Sequence, residues 1–186
     1  MPWTFEELDE RYAALTPSPK ERGTVVQVCV RPDIDRRHFP GVLELSETRG
    51  AIGDRWERRT WIYLPDGKPD PRVQVALMNS RTLAWLQQIT GAHHHPGDTL
   101  LVDFDLAESN LSNGSRLRVG TAVLEISDVV NDACAKFAAH YGADVFRWIR
   151  HAPNRSRRLR GAFARVVRSG EVKNGDAISC VLGEAE

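Results

Sequence analysis

The sequence predicts a mainly β fold, a β-barrel or strongly bent sheet with a few peripheral helices. Three observations carry that reading. Short runs rich in β-branched residues recur along the chain, several alternating apolar with polar positions. Proline, glycine and aspartate clusters punctuate the chain between many of them. Few stretches carry apolar residues at helical spacing, and there is no internal repeat or low-complexity segment. Many short strands with few helices suit a barrel.

The elements follow in order. Thr4 and Glu7 form a capping box, which predicts a helix from about Phe5 to Leu15. The prolines and glycine of TPSPKERG (Thr16–Gly23) then make a linker. Residues 1–20 are thus expected to be an N-terminal helix and linker, and residues 21–186 a single domain. TVVQVCV (Thr24–Val30) reads as a strand, with Cys29 as a core or sheet residue rather than a nucleophile. GVLELSE and RTWIYL read as strands; PDGKPDP turns the chain and RVQVALM returns it, so RTWIYL and RVQVALM are expected to pair as a long-looped hairpin. Ser80 can cap a short helix, RTLAWLQQIT, that Gly91 ends. TLLVDFDL, SRLRVGTAVLEIS, GAFARVVRSG and DAISCVL supply the remaining strands. NDACAKFAAHYGADVFRWIR differs: Cys134, Phe137, Tyr141, Val145 and Trp148 fall at helical spacing, Asn131 or Asp132 can cap it, and Gly142 is a point of breakage.

Composition narrows the class. The chain has 186 residues with 25 basic and 25 acidic side chains, which suits one domain. No apolar run approaches the roughly 18 residues that span a membrane. The charged start, MPWTFEELDERYAAL, is not a secretory signal, so no membrane association and a cytoplasmic location are expected. Cys29, Cys134 and Cys180 are far apart and form no CxxC, which argues against a disulfide framework and against zinc held by paired cysteines.

Three features carry candidate chemistry. His93, His94 and His95 are consecutive, so in an extended segment only His93 and His95 share a side, and a metal site would need a ligand from elsewhere. The simpler reading is a polar loop leading into a strand, and an intermediate one has His95 line a pocket. Cys134 is expected in the first turn of its helix, where free N–H groups stabilise a thiolate; its place on an apolar face argues more strongly for a buried structural cysteine. Between Asp144 and Glu171 there is no acid but there are eight arginines: 147, 150, 155, 157, 158, 160, 165 and 168. Several flank a strand that opens at Gly161, a residue that admits close backbone approach, so an anion site is expected there. Nucleic acid is not the expected partner, because no nucleic-acid motif accompanies the block.

The C-terminal half resembles the MOSC family, named for the C-terminal domain of molybdenum cofactor sulfurases. The resemblance rests on HPGDTLLVDFDLAESNLSNGSRLRVGTAVLEIS, then Cys134, then RLRGAFARVVRSGEVKNGD, with looser matches at GAIGDRW and RVQVALM. It spans roughly Gly23 to Val181. It implies a barrel like the β-barrel domain of pyruvate kinase and contact with the molybdenum cofactor, a pterin bearing a phosphate and a dithiolene-bound metal. Cys134 then matches the cysteine that ligates molybdenum or carries sulfur delivered by a pyridoxal-phosphate cysteine desulfurase. His95, Asp98, Thr99, Arg157, Arg158, Arg160, Gly161 and Arg165 become the expected cofactor-binding residues. Three positions depart from the family pattern. Gly97-Asp98-Thr99-Leu100 replaces a Gly-Glu-Asn-Leu-like element, Trp56 stands where histidine is frequent, and Ala133 rather than proline precedes Cys134. The resemblance implies either an oxidoreductase of N-hydroxylated compounds, fed by an electron-transfer protein, or a sulfur carrier. The alternative is a non-catalytic module that binds anions or nucleic acid through the arginines.

Overall fold

The computed structural model describes residues 2–181; Met1 and residues 182–186, including Leu182 of the expected last strand and the end of the expected domain, lie outside the described residues. Seven strands close into a barrel. They are β1 (Arg22–Val28), β4 (Val75–Asn79), β5 (Leu100–Asp103), β6 (Arg116–Val119), β7 (Ala122–Ile126), β8 (Ala162–Arg168) and β10 (Ala177–Cys180). Their order around the barrel is β1-β10-β6-β7-β8-β4-β5. A small second sheet joins β2 (Leu43–Ser46) to β3 (Gly50–Ala51) and β9 (Gly170–Val172).

Alternation explains the strands. Along β1 and β6 exposed and buried residues alternate closely. Inward positions such as Val25, Leu77, Leu100, Phe104, Leu117, Leu124 and Ile178 fill the barrel. Each such side chain contributes roughly 1.5–3 kcal/mol by leaving water. β4 and β5 are the parallel neighbours, paired Leu77 to Leu100 and Asn79 to Val102. Parallel strands need a crossover, and α2 (Ser80–Thr90) supplies it. Its N-cap is Asn79, whose Oδ1 accepts the Thr82 N–H at 2.9 Å. Ser80, the expected cap, is the first helical residue instead. Gly91, at φ +70°, ends the helix as expected.

The helices build a second core. α1 (Phe5–Ala13) starts with the expected capping box: Thr4 Oγ1 accepts the Glu7 N–H, and Glu7 Oε2 accepts the Thr4 N–H. Leu8 of α1, Trp85 and Leu86 of α2, Phe137 and Tyr141 of α3 (Ala135–Tyr141) and Trp148 of α4 (Ala143–Arg150) pack together. None of the described helices is long and apolar enough to cross a membrane.

Two further expectations fail. RTWIYL is not a strand of the barrel. Only Tyr63 bridges Pro69, and Trp61 and Tyr63 are exposed. The segment folds onto its own turn, with Ile62 and Leu64 bonded to Asp70 and Lys68. RVQVALM therefore has no hairpin partner there, and its strand β4 pairs with β8 and β5. The second failure is the cap of residues 131–150. Gly142, at φ +91°, does split that stretch into α3 and α4, but neither Asn131 nor Asp132 caps it. Asn131 instead donates to the Arg160 carbonyl at 3.2 Å, and Ala133 turns the chain at φ +61°. Cys134 is left as the N-cap, one residue before the first turn where it was expected.

Candidate functional site

An open cleft of about 560 Å³ lies beside α3. It is bordered by the loop after β1, the segment before β5, the start of α3 and the start of β8. Cys134 borders it and is exposed. The left-handed φ of Ala133 is one that proline cannot adopt, so this backbone requires the departure from proline. Cys29, by contrast, is buried just past the end of β1, and burial pushes its thiol up to about 11.

Arg160 and Asp98 form the buried electrostatic element of the cleft. One Arg160 terminal nitrogen donates to both Asp98 oxygens, at 2.7 and 2.9 Å. Their side chains are 12% and 2% exposed. The Arg160 Nε is buried without a partner among the described residues, and its guanidinium lies 5.5 Å from the Phe137 ring centre. Such an orphaned donor on a cation is costly. Arg37 donates to the His95 carbonyl at 2.9 Å and to His94 Nε2 at 3.2 Å. Arg31 is held by Asp54, its Nε 3.0 Å from Oδ2. Gly97, at φ +88°, makes room for both: a Cβ there would lie 3.2–3.3 Å from the Arg31 and Arg37 side chains.

The three histidines part company because residues 92–98 form no strand, so alternation does not govern them. His93 points to solvent. His94 borders the cleft and stacks on His140 at 3.6 Å. His95 lies behind the wall. Its Nδ1 accepts the Gly97 N–H at 3.0 Å, which places the proton of the neutral ring on Nε2, a buried atom with no partner among the described residues. Burial holds both His94 and His95 below the ordinary histidine range, and for His94 the neighbouring His140 adds to it. Among the described residues no group of three or more histidine, cysteine or carboxylate side chains is placed to hold a metal.

The structure disperses the other expected residues. Thr99 is buried and ties strands together: its hydroxyl accepts the Ala76 N–H at 3.2 Å and its carbonyl the Cys29 N–H at 2.9 Å. Arg157 is exposed and pairs with Asp9 at 2.6 Å. Arg158 donates to the carbonyls of Leu106 and Leu111 and to Asn113, holding a loop together. Gly161 is crowded by protein, since a Cβ there would lie 1.9 Å from the Leu77 carbonyl oxygen. Arg165 pairs with Glu125 on the barrel surface. Of the eight-arginine block only Arg160 borders the cleft. The remaining cations there are Arg31, Arg36, Arg37, Arg55 and Lys136. The sequence signal for Arg31, Arg36 and Arg37 is RPDIDRRH (Arg31–His38), where Asp33 and Asp35 mask the three arginines.

Residues 66–179 match the family model described as MOSC domain. The chain belongs to the MOSC domain family. No curated protein matches it in sequence. Among solved structures, the YuaD protein of Bacillus subtilis is 19% identical, with 86% of this chain and 95% of that one covered and a TM-score of 0.63. YiiM from Escherichia coli is also 19% identical, over 89% of this chain and 72% of that one, with a TM-score of 0.59. These likenesses show a shared MOSC barrel fold. The family model covers the chain from the loop before β4 into β10.

Proposed function

We propose that this MOSC protein binds the molybdenum cofactor in the cleft, with Cys134 as the metal's thiolate ligand. One observation carries the reading: the exposed thiol borders the same cleft as a buried arginine that lacks a partner for its Nε. The donor set suits the group. A thiolate is a soft ligand, and guanidinium forks match phosphate. Arg160 and Arg37 would hold the phosphate, and His94 borders the same cleft. Asp98 positions Arg160 rather than meeting the ligand. The cofactor, when bound, supplies two-electron redox chemistry; the protein binds and orients it and leaves the thiol reachable. This work would belong to residues 21–186 in a reducing, cytoplasmic setting, with an electron-transfer protein as partner.

The test is molybdenum content and pterin fluorescence of protein made in a host that synthesises the cofactor. Near-stoichiometric metal that vanishes in Cys134→Ala is the expected result. Metal-free, pterin-free wild-type protein would overturn it. A second reading, a sulfur carrier charged by a pyridoxal-phosphate cysteine desulfurase, rests on the exposure of Cys134 alone. It requires added sulfur on Cys134 in the mass spectrum after incubation with desulfurase and cysteine. The module that binds anions or nucleic acid through the arginine block has the least support, because Arg157, Arg158 and Arg165 already have protein partners.

A further inference from the structure

The cations of the cleft divide into two sets. Arg31, Arg37, Arg160 and Lys136 each have a partner: Asp54, the His95 carbonyl, Asp98 and Asp35. The side chains of Arg36 and Arg55 make no hydrogen bond and no ion pair among the described residues. Positive charge left without a protein partner in a concave site is available to a ligand. A second feature of the same cleft is equally unused. Trp61 is 62% exposed, Val130 is 55% exposed, and both border the cleft together with Phe163. The Trp61 and Phe163 rings lie 5.8 Å apart at 47°. Three of the other four tryptophans, Trp56, Trp85 and Trp148, are buried.

The backbone on either side of Trp61 is tied by hydrogen bonds. The Asp70 N–H donates to the Ile62 carbonyl at 3.1 Å, Leu64 and Lys68 pair, and the Thr60 N–H donates to the Tyr63 hydroxyl at 3.3 Å. A fixed loop that presents an indole to a cleft loses little order on binding. An apolar aromatic shelf and unpaired guanidinium groups that border one cleft match one class of ligand, a flat ring that carries an anionic group. The shelf also adjoins the thiol along the chain, since Val130 lies four residues before Cys134.

We infer that Trp61, Phe163 and Val130, with Arg36 and Arg55, form a subsite for an aromatic anion, a mononucleotide or an aryl carboxylate. It is distinct from the groups assigned to the cofactor. The inference rests on the proposed function only in treating the ligand as a substrate presented to Cys134; the subsite itself needs no cofactor.

Calorimetric titration of the metal-free wild-type protein with AMP, adenosine, inorganic phosphate and 1-naphthoate tests it. AMP or 1-naphthoate is expected to bind at least about tenfold more tightly than adenosine or phosphate, because ring and charge act together. The better of the two identifies the source. Trp61→Ala and Arg55→Ala are each expected to weaken that ligand about tenfold. Molybdenum and pterin content of Trp61→Ala made in the cofactor-producing host should equal the wild type. Equal or absent binding of all four probes overturns the inference. So does a ligand whose affinity ignores Trp61, and so does loss of pterin in Trp61→Ala, which would give the shelf to the cofactor. Aromatic-anion binding in a wild-type protein that never acquires molybdenum would sink the proposed function and leave this subsite standing.

Discussion

Arg158 and Arg36 carry the same charge and have opposite positions in the molecule. Arg158 comes from a block of eight arginines with no intervening acid, yet it is committed to two carbonyls and an asparagine of its own chain. Arg36 comes from a loop in which two aspartates, Asp33 and Asp35, precede it, yet its guanidinium has no partner among the described residues and borders the cleft. Density of charge along a sequence therefore says little about where charge is free. The useful quantity is what remains after the protein's own acceptors are counted, and only the fold supplies it.

The contrast can be broken most severely at Gly161. If that glycine served a ligand, Gly161→Ala would weaken binding and leave the fold intact. The crowding at the Leu77 carbonyl and φ of +95° instead predict a loss of about 3–5 kcal/mol of stability, read as a large fall in the urea midpoint. Arg158→Ala comes next. It should cost about 2 kcal/mol by orphaning the carbonyls of Leu106 and Leu111, with pterin content per folded molecule unchanged. Arg157→Ala, which removes an exposed ion pair to Asp9, should cost under about 1 kcal/mol. Equal effects for these two would show that Arg158 is not the structural member of the pair.

The smallest effect is a titration. Burial lowers the pKa of His95 in the folded protein, so the unfolded chain binds more protons. Its contribution is complete above about pH 6.5 and is lost as pH falls through the lower folded value. Unfolding curves from pH 7 to 5 should show that decline, and His95→Asn, which keeps an acceptor for the Gly97 N–H, should flatten it. An unchanged slope would mean that the ring of His95 charges freely in the fold.

Much of the fold could be read locally. The Thr4–Glu7 capping box, the Gly91 stop and the break at Gly142 each depend on a few adjacent residues, and each is present. RTWIYL misleads because its run of aromatic and β-branched residues resembles a strand's, while the partners that β4 prefers lie about 25 and 90 residues further along the chain. The same distinction governs the site. Cys134, Asp98 and Arg160 border one cleft, as their selection from the sequence anticipates, but Arg31, Arg37, Arg55 and Trp61 reach it only through long-range packing. His94 rather than His95 borders the cleft because the segment is irregular, and periodicity gives no guidance there.

The position of β1 sets an order of events during synthesis. Its neighbours in the barrel are β5 and β10. As the chain leaves the ribosome, β1 finds its first partner once Asp103 has emerged, but the second only when Cys180 has. Until then one edge of β1 presents unpaired backbone groups, the kind of edge that recruits other strands. A nascent chain stalled in that interval is the form of this protein most in need of a chaperone.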